Sequence, residues 1–149
     1  MLNPSGVRFG SAEIYSVIER IASIADSICV GQRRPQDSDE SVFLFVLMRP
    51  GHRFGPALVR EIRAAVRRSL SARHVPKHIF QCFEIPVTIN GKKVELPVKQ
   101  IISGKKIAVS STLANPESLK YFEQFVNVED LEQRAQKDVA LPLDVKSKL

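Results

Sequence analysis

Val42-Phe43-Leu44-Phe45-Val46-Leu47-Met48 is an unbroken apolar run, and four of its seven residues are Val or Phe. A run of this length and composition, with no polar residue at alternate positions, reads as a strand covered on both faces, at the centre of a sheet. Pro50-Gly51 ends it. Upstream, Arg34 to Ser41 is a charged turn, and residues 26–33 read as a partner strand. Downstream, residues 56–72 read as the longest helix. Pro56 suits its first turn, and Leu58, Val59, Ile62, Val66 and Leu70 form one apolar stripe. Arg60, Arg63, Arg67, Arg68 and Arg73 fall on or near its other faces. Pro76 marks the exit, and residues 78–85 read as a third strand.

The ends of the chain add helices. Asn3 to Gly10 is turn-rich and predicts a short hairpin or loop. Ser11 reads as the N-cap of an amphipathic helix over residues 12–22, with Ile14, Val17, Ile18 and Ile21 at helical spacing. Val94 to Ile102 predicts a short helix with Pro97 near its first turn. Residues 116–125 predict another, beginning at Asn115. From Glu129 the chain is charged and lacks a wide apolar face, which predicts a frayed helix or a disordered tail. The expected fold is α+β: a small three-stranded sheet flanked by helices, with an N-terminal hairpin and a C-terminal helical extension. The expected division is a domain over 1–110 and an extension with a flexible tail over 111–149.

Composition bounds the function. The 149 residues carry 22 Lys and Arg against 16 Asp and Glu, a net charge of +6. This favours anionic partners such as phosphates, nucleotides or nucleic acid without choosing among them. Two Tyr and no Trp supply a stacking platform for single strands poorly. No apolar run approaches the ~18 residues of a membrane span, and no signal peptide opens the chain. Cys29 and Cys82 sit in apolar strand-like runs and read as buried free thiols. His52, His74 and His78 lack metal-ligand spacing, and there is no phosphate-binding GxxxxGK[ST] loop and no GxSxG elbow. Basic and glycine-flanked groups are present without an evident nucleophile and base. The chain reads as half of an active site.

The half that is present centres on Pro86-Val87-Thr88-Ile89-Asn90-Gly91-Lys92. Asn-Gly is a strong tight-turn signal. Such a turn fixes where Lys92 emerges and offers it to a partner as a mobile point charge. A plain hairpin with a solvated lysine is the competing reading of these seven residues.

Two stretches together resemble a known family. Ser5-Gly6-Val7-Arg8-Phe9-Gly10-Ser11-Ala12-Glu13-Ile14 is similar to the motif that opens the mobile C-terminal domain of adenylate-forming acyl-CoA synthetases. Pro86 through Gly91-Lys92 resembles the family's Pro-x-x-x-x-Gly-Lys motif. The likeness covers residues 3–105. Asn90-Gly91-Lys92-Lys93-Val94-Glu95, then Val98-Lys99-Gln100-Ile101-Ile102, is similar to the acetoacetyl-CoA synthetase subgroup, and Asn115 to Leu119 resembles that subgroup's extension. Generic members follow the lysine with an apolar residue and an arginine; this chain has Lys93-Val94-Glu95.

The resemblance implies an excised C-terminal domain of an ATP-dependent acid–CoA ligase, inactive without a large N-terminal domain that holds the ATP loop and acid pocket. It implies ATP and CoA as substrates, with Mg2+ accompanying ATP. Lys92 would be the adenylation lysine and Arg8 would approach the ATP phosphates. Ser5 and Gly6 would line the CoA tunnel, and Arg67 would meet CoA phosphates. It also implies that acetylation could silence Lys92 by removing its charge. A basic domain that binds nucleic acid through the arginine-rich helix is the rival, and the modules that would strengthen it are absent from the sequence. The final Ser147-Lys148-Leu149 matches a peroxisomal address, so the expected location is cytosolic, or peroxisomal in a eukaryote with a native terminus.

Overall fold

A computed structural model describes residues 1–6, 8–108 and 111–140, without the side chains of 135–140. The tripeptide Ser147-Lys148-Leu149 lies outside the described residues. Three strands form one sheet in the order β1 (Ile24–Gln32), β2 (Ser41–Met48), β3 (His78–Cys82). β2 is central, as its composition requires. It pairs antiparallel with β1, with Cys29 opposite Leu44, and parallel with β3, with Phe45 opposite Phe80. A parallel neighbour needs a long crossover, and α2 (Pro56–Ser69) supplies it.

Alternation along β2 divides the core into two layers. Val42, Leu44 and Val46 pack with Ile14, Val17 and Ile18 of α1 (Ser11–Ile18) and with Leu58, Ile62 and Val66 of α2. Phe43 and Phe45 face the other way, toward Val98 and Ile102 of α3 (Glu95–Ile102) and toward Phe122 and Phe125. Those two aromatics belong to a 3-10 segment, Pro116–Asn127, that runs directly into α4 (Val128–Ala140). Phe45 meets Phe122 and Phe125 edge-on, with ring centroids 4.9 and 4.8 Å apart, a favoured aromatic geometry. The extension therefore shares the core of the sheet. Cys29 and Cys82 are both buried and free; burial raises both thiols, Cys82 to about 12.

Two local expectations are corrected. Ser11 is not the N-cap of α1. Gly10 is, and its N–H donates to Glu13 Oε2 at 3.0 Å. The helix is also shorter than 12–22, stopping at Ile18. Beyond Glu129 the chain is helical to Ala140, and the rest of the expected tail lies outside the described residues. Two contacts fasten this segment. Arg34 Nη1 donates to Val126 O (2.7 Å) and to Glu129 Oε2 (2.9 Å), while its Nε and Nη2 hold Asp37, each at 2.9 Å. His78 Nδ1 lies 2.5 Å from Glu132 Oε1. Burial holds the His78 imidazole below its usual range, and this outweighs the pull of Glu132.

Candidate functional site

Thr88 to Gly91 closes a tight turn, with the Gly91 N–H donating to Thr88 O at 2.8 Å. Gly91 has φ +82°, a left-handed backbone that other residues adopt at a cost. Short antiparallel pairing continues below the tip. Thr88 N donates to Lys92 O (2.7 Å) and Val94 N to Pro86 O (3.0 Å), and residues 112–114 bond to the outer side through Ile89 and Ala114. The turn is thus a braced finger, and Lys92 is exposed at its tip.

The two neighbouring lysines differ completely. Lys93 Nζ donates to Ser27 O at 2.6 Å and to Asp26 Oδ1 at 3.0 Å, and it sits 3.8 Å above the Tyr15 ring. Tyr15 is fixed in turn. Its hydroxyl donates to Glu95 Oε2 (2.6 Å) and accepts from Cys29 N (2.9 Å), and burial with the Glu95 bond pushes the phenol upward. Ser11 Oγ also donates to Glu95, at 2.7 Å. So Lys93, Glu95, Tyr15 and Ser11 tie the finger to β1 and α1. The Lys92 ammonium makes no hydrogen bond or ion pair among the described residues.

This division predicts unequal stability effects. Lys93→Met should lower the urea-denaturation stability of the chain by about 1–2 kcal/mol, the usual loss for charge-assisted bonds. Lys92→Met should stay within about 0.5 kcal/mol, as for an unpartnered surface residue. Equal losses would contradict it.

The other motif lies at the far end of β1. Leu2 and Phe9 pair through reciprocal backbone bonds of 2.8 and 3.0 Å, closing the N-terminal hairpin. At its bend Ser5 has φ +51° and Gly6 φ +78°. A serine in this region costs about 1–2 kcal/mol, and Asp39 offsets that cost. The Ser5 N–H donates to both Asp39 carboxylate oxygens, at 2.7 and 2.9 Å, and Ser5 Oγ donates at 3.0 Å. The Glu40 N–H and these Ser5 bonds hold the Asp39 carboxyl below its usual range. Glu40, buried, accepts from Asn3 N and from Lys99 Nζ. Its side chain lies across Gly31, where a Cβ would come within 2.3 Å of it. A glycine is required there.

The sequence-predicted residues therefore fall into two groups. Ser5, Gly6 and Arg8 share one end of the sheet, where Arg8 is exposed beside Asn3, Arg33, Glu40 and Lys99. Arg67, exposed on the last turn of α2, belongs to this end too, since α2 leads back to the start of β3. Lys92 stands alone at the other end. The span from Asp26, which Lys93 grips, to Arg33, whose N–H donates to Ser103 Oγ, is about 20 Å at the strand rise. Arg8 and Lys92 are not brought together. Sequence reading missed Lys93, Glu95, Tyr15 and Asp39. Ser11 and Tyr15 are one helical turn apart, which is legible, but their shared partner Glu95 is 80 residues or more away.

Comparison with known proteins fits this geometry. The description "AMP-binding enzyme C-terminal domain" matches residues 13–92, more than half of the chain. The chain belongs to the AMP-binding enzyme C-terminal domain family. Among curated relatives, acetoacetyl-CoA synthetase of Rattus norvegicus is 50% identical over 129 residues, covering 87% of this chain and 19% of that protein. A malonamoyl-CoA synthetase of Penicillium aethiopicum is 52% identical over 128 residues, covering 83% and 18%. Among solved structures, acetoacetyl-CoA synthetase from Streptomyces lividans superposes with a TM-score of 0.73 at 30% identity, covering 86% of this chain and 19% of that one. The chain spans about a fifth of the length of the curated relatives it matches. Family membership agrees with the resemblance drawn from the sequence, and the three-stranded sheet with its helices is the α+β fold expected. Among the described residues no helix is long and apolar enough to cross a membrane. Among them, too, no three His, Cys, Asp or Glu are grouped to hold a metal ion.

Proposed function

We propose that this chain is the mobile C-terminal domain of an AMP-forming acid–CoA ligase of the acetoacetyl-CoA synthetase kind, with Lys92 as its adenylation lysine. The observation that carries this reading is the contrast between the anchored Lys93 and the exposed, unpartnered Lys92. A rigid turn that carries a free cation is available to an anion from outside the domain.

In the first step a carboxylate oxygen of the acid attacks the α-phosphorus of ATP. The acyl–phosphate bond forms and pyrophosphate leaves with the electron pair. The Lys92 ammonium would lie between carboxylate and phosphate oxygens, aligning them and offsetting the charge that redistributes. Mg2+ would arrive with ATP as its counter-ion. In the second step the CoA thiol, giving up its proton, attacks the acyl carbon and AMP leaves. Ser5 and Gly6 are assigned to the CoA tunnel and Arg67 to CoA phosphates, where a guanidinium fork suits phosphate oxygens. Arg8 shares the Ser5 end, which favours a role on the nucleotide phosphate in the second pose rather than beside Lys92. Two ends about 20 Å apart cannot serve one reacting carbon in a single pose, which supports rotation of the domain between steps. The partner is the large N-terminal domain that the relatives' remaining length would supply. Acetylation of Lys92 would remove the charge and silence the first step.

The substrate proposed is acetoacetate. Malonamate, the acid named by another relative, has the same carboxylate, methylene and carbonyl and differs only in NH2 for CH3. Full-length protein should exchange pyrophosphate into ATP only when acetoacetate is present and should yield the thioester on adding CoA, while this chain alone does neither. Exchange that needs no acid, or turnover by the isolated chain, would overturn the assignment.

A further inference from the structure

We propose that Asp39 is a positioning residue for the thioester-forming step, holding the Ser5–Gly6 bend in the shape that admits CoA. This inference rests on the reading of that bend as part of the CoA tunnel. The bend combines two consecutive left-handed residues, one of them a serine. Nothing in the local sequence forces that shape on Ser5. A single carboxylate does, by accepting both its N–H and its O–H.

Asp39 can do this because it is itself held on both sides. Its Oδ1 accepts the next N–H, that of Glu40, at 2.8 Å. Glu40 is buried across Gly31 and bonded to Asn3 and Lys99, so it cannot swing. At the other side of the loop Arg34 grips Asp37 and, through Glu129 and Val126, the C-terminal extension. The β1–β2 loop is thus held at both ends, by Arg34 and the extension at Asp37 and by Glu40 and Ser5 at Asp39. Asp39 touches no part of the Lys92 finger. Its loss should therefore alter the two half-reactions unequally, which a general loss of fold would not do. Asp39 is only half-buried, so its replacement opens no enclosed cavity.

The test uses full-length protein and three variants, with ATP–pyrophosphate exchange and thioester formation from preformed acyl-adenylate measured against CoA concentration. Asp39→Ala should raise the KM for CoA by about 10-fold or more, since small misplacements of binding groups have effects of this order, and should leave exchange unchanged. Asp39→Asn keeps an acceptor for the Ser5 N–H and should restore most of the lost affinity. Gly6→Val is the control, because a side chain there must impair the CoA step if the bend lines the tunnel. An unchanged KM in Asp39→Ala beside a damaged Gly6→Val overturns the role of Asp39 and leaves the tunnel reading standing. No effect in either variant overturns the tunnel reading and the proposal with it. Equal losses in both half-reactions, unrelieved in Asp39→Asn, would make Asp39 merely structural and likewise overturn the proposal.

Discussion

Lys92→Ala in the full-length protein should reduce acid-dependent ATP–pyrophosphate exchange by at least about 10²-fold, the scale on which a single preorganised charge-stabilising donor acts. Thioester formation from preformed acyl-adenylate should be largely spared. The asymmetry follows from position. Lys92 and the Ser5–Gly6 bend lie toward opposite ends of the sheet, and the proposed rotation would present them in turn. Lys92→Ala removes no internal contact among the described residues, and the folded domain should persist unchanged. Equal loss in both half-reactions would contradict the assigned role.

The second large effect concerns stability. The Arg34 side chain is 7% exposed and satisfies Asp37, Glu129 and the Val126 carbonyl at once. Arg34→Met keeps the stem and removes every donor. Asp37, only 15% exposed, then loses its counter-charge. Breaking such a pair from one side costs about 3 kcal/mol or more, to be read by urea denaturation. Glu129 is more exposed and will recover water, so most of the loss belongs to Asp37 and the carbonyl. The same contacts set a pH dependence. Arg34 holds Glu129 down to about 2 and Asp37 below its usual range. The unfolded chain therefore binds more protons, and stability from these groups is complete above their unfolded values near 4.5 and 3.8. It is lost as pH falls toward about 2. In Arg34→Met this acid-sensitive part should largely vanish; a wild-type acid profile would contradict it.

Much of the fold was legible because the decisive signals are local. Val42 to Met48 has no polar alternate, and that alone makes β2 central. The long amphipathic helix read over 56–72 falls between two strands, and as α2 it makes the crossover that the parallel β3 needs. Residues that answer to distant partners were not legible. Ser11 carries the usual mark of a cap, yet its hydroxyl serves Glu95 and Gly10 takes the cap. Residues 129–140 lack a wide apolar stripe, and their helix is tied down by Arg34 and His78 from other elements. Residues 116–125 read as a helix in the sequence, but the segment is a 3-10 run whose Phe122 and Phe125 rings fill the space over Phe45. At the site, the turn and its free lysine were readable from Asn90-Gly91-Lys92. That Lys93 is spent on β1, and that Asp39 rather than Gly6 alone shapes the N-terminal bend, depended on tertiary contacts.

The most direct measurement restores the charge after removing it. In full-length Lys92→Cys, alkylation with 2-bromoethylamine rebuilds an ammonium at nearly the original reach, while Cys29 and Cys82 are buried from the reagent. Lys92→Ala treated in parallel reports alkylation elsewhere. Pyrophosphate exchange should be lost in the untreated cysteine variant and return on alkylation, with the alanine control remaining inactive. Full exchange before alkylation, or none once the introduced thiol is completely modified, would contradict delivery of a cation by this turn.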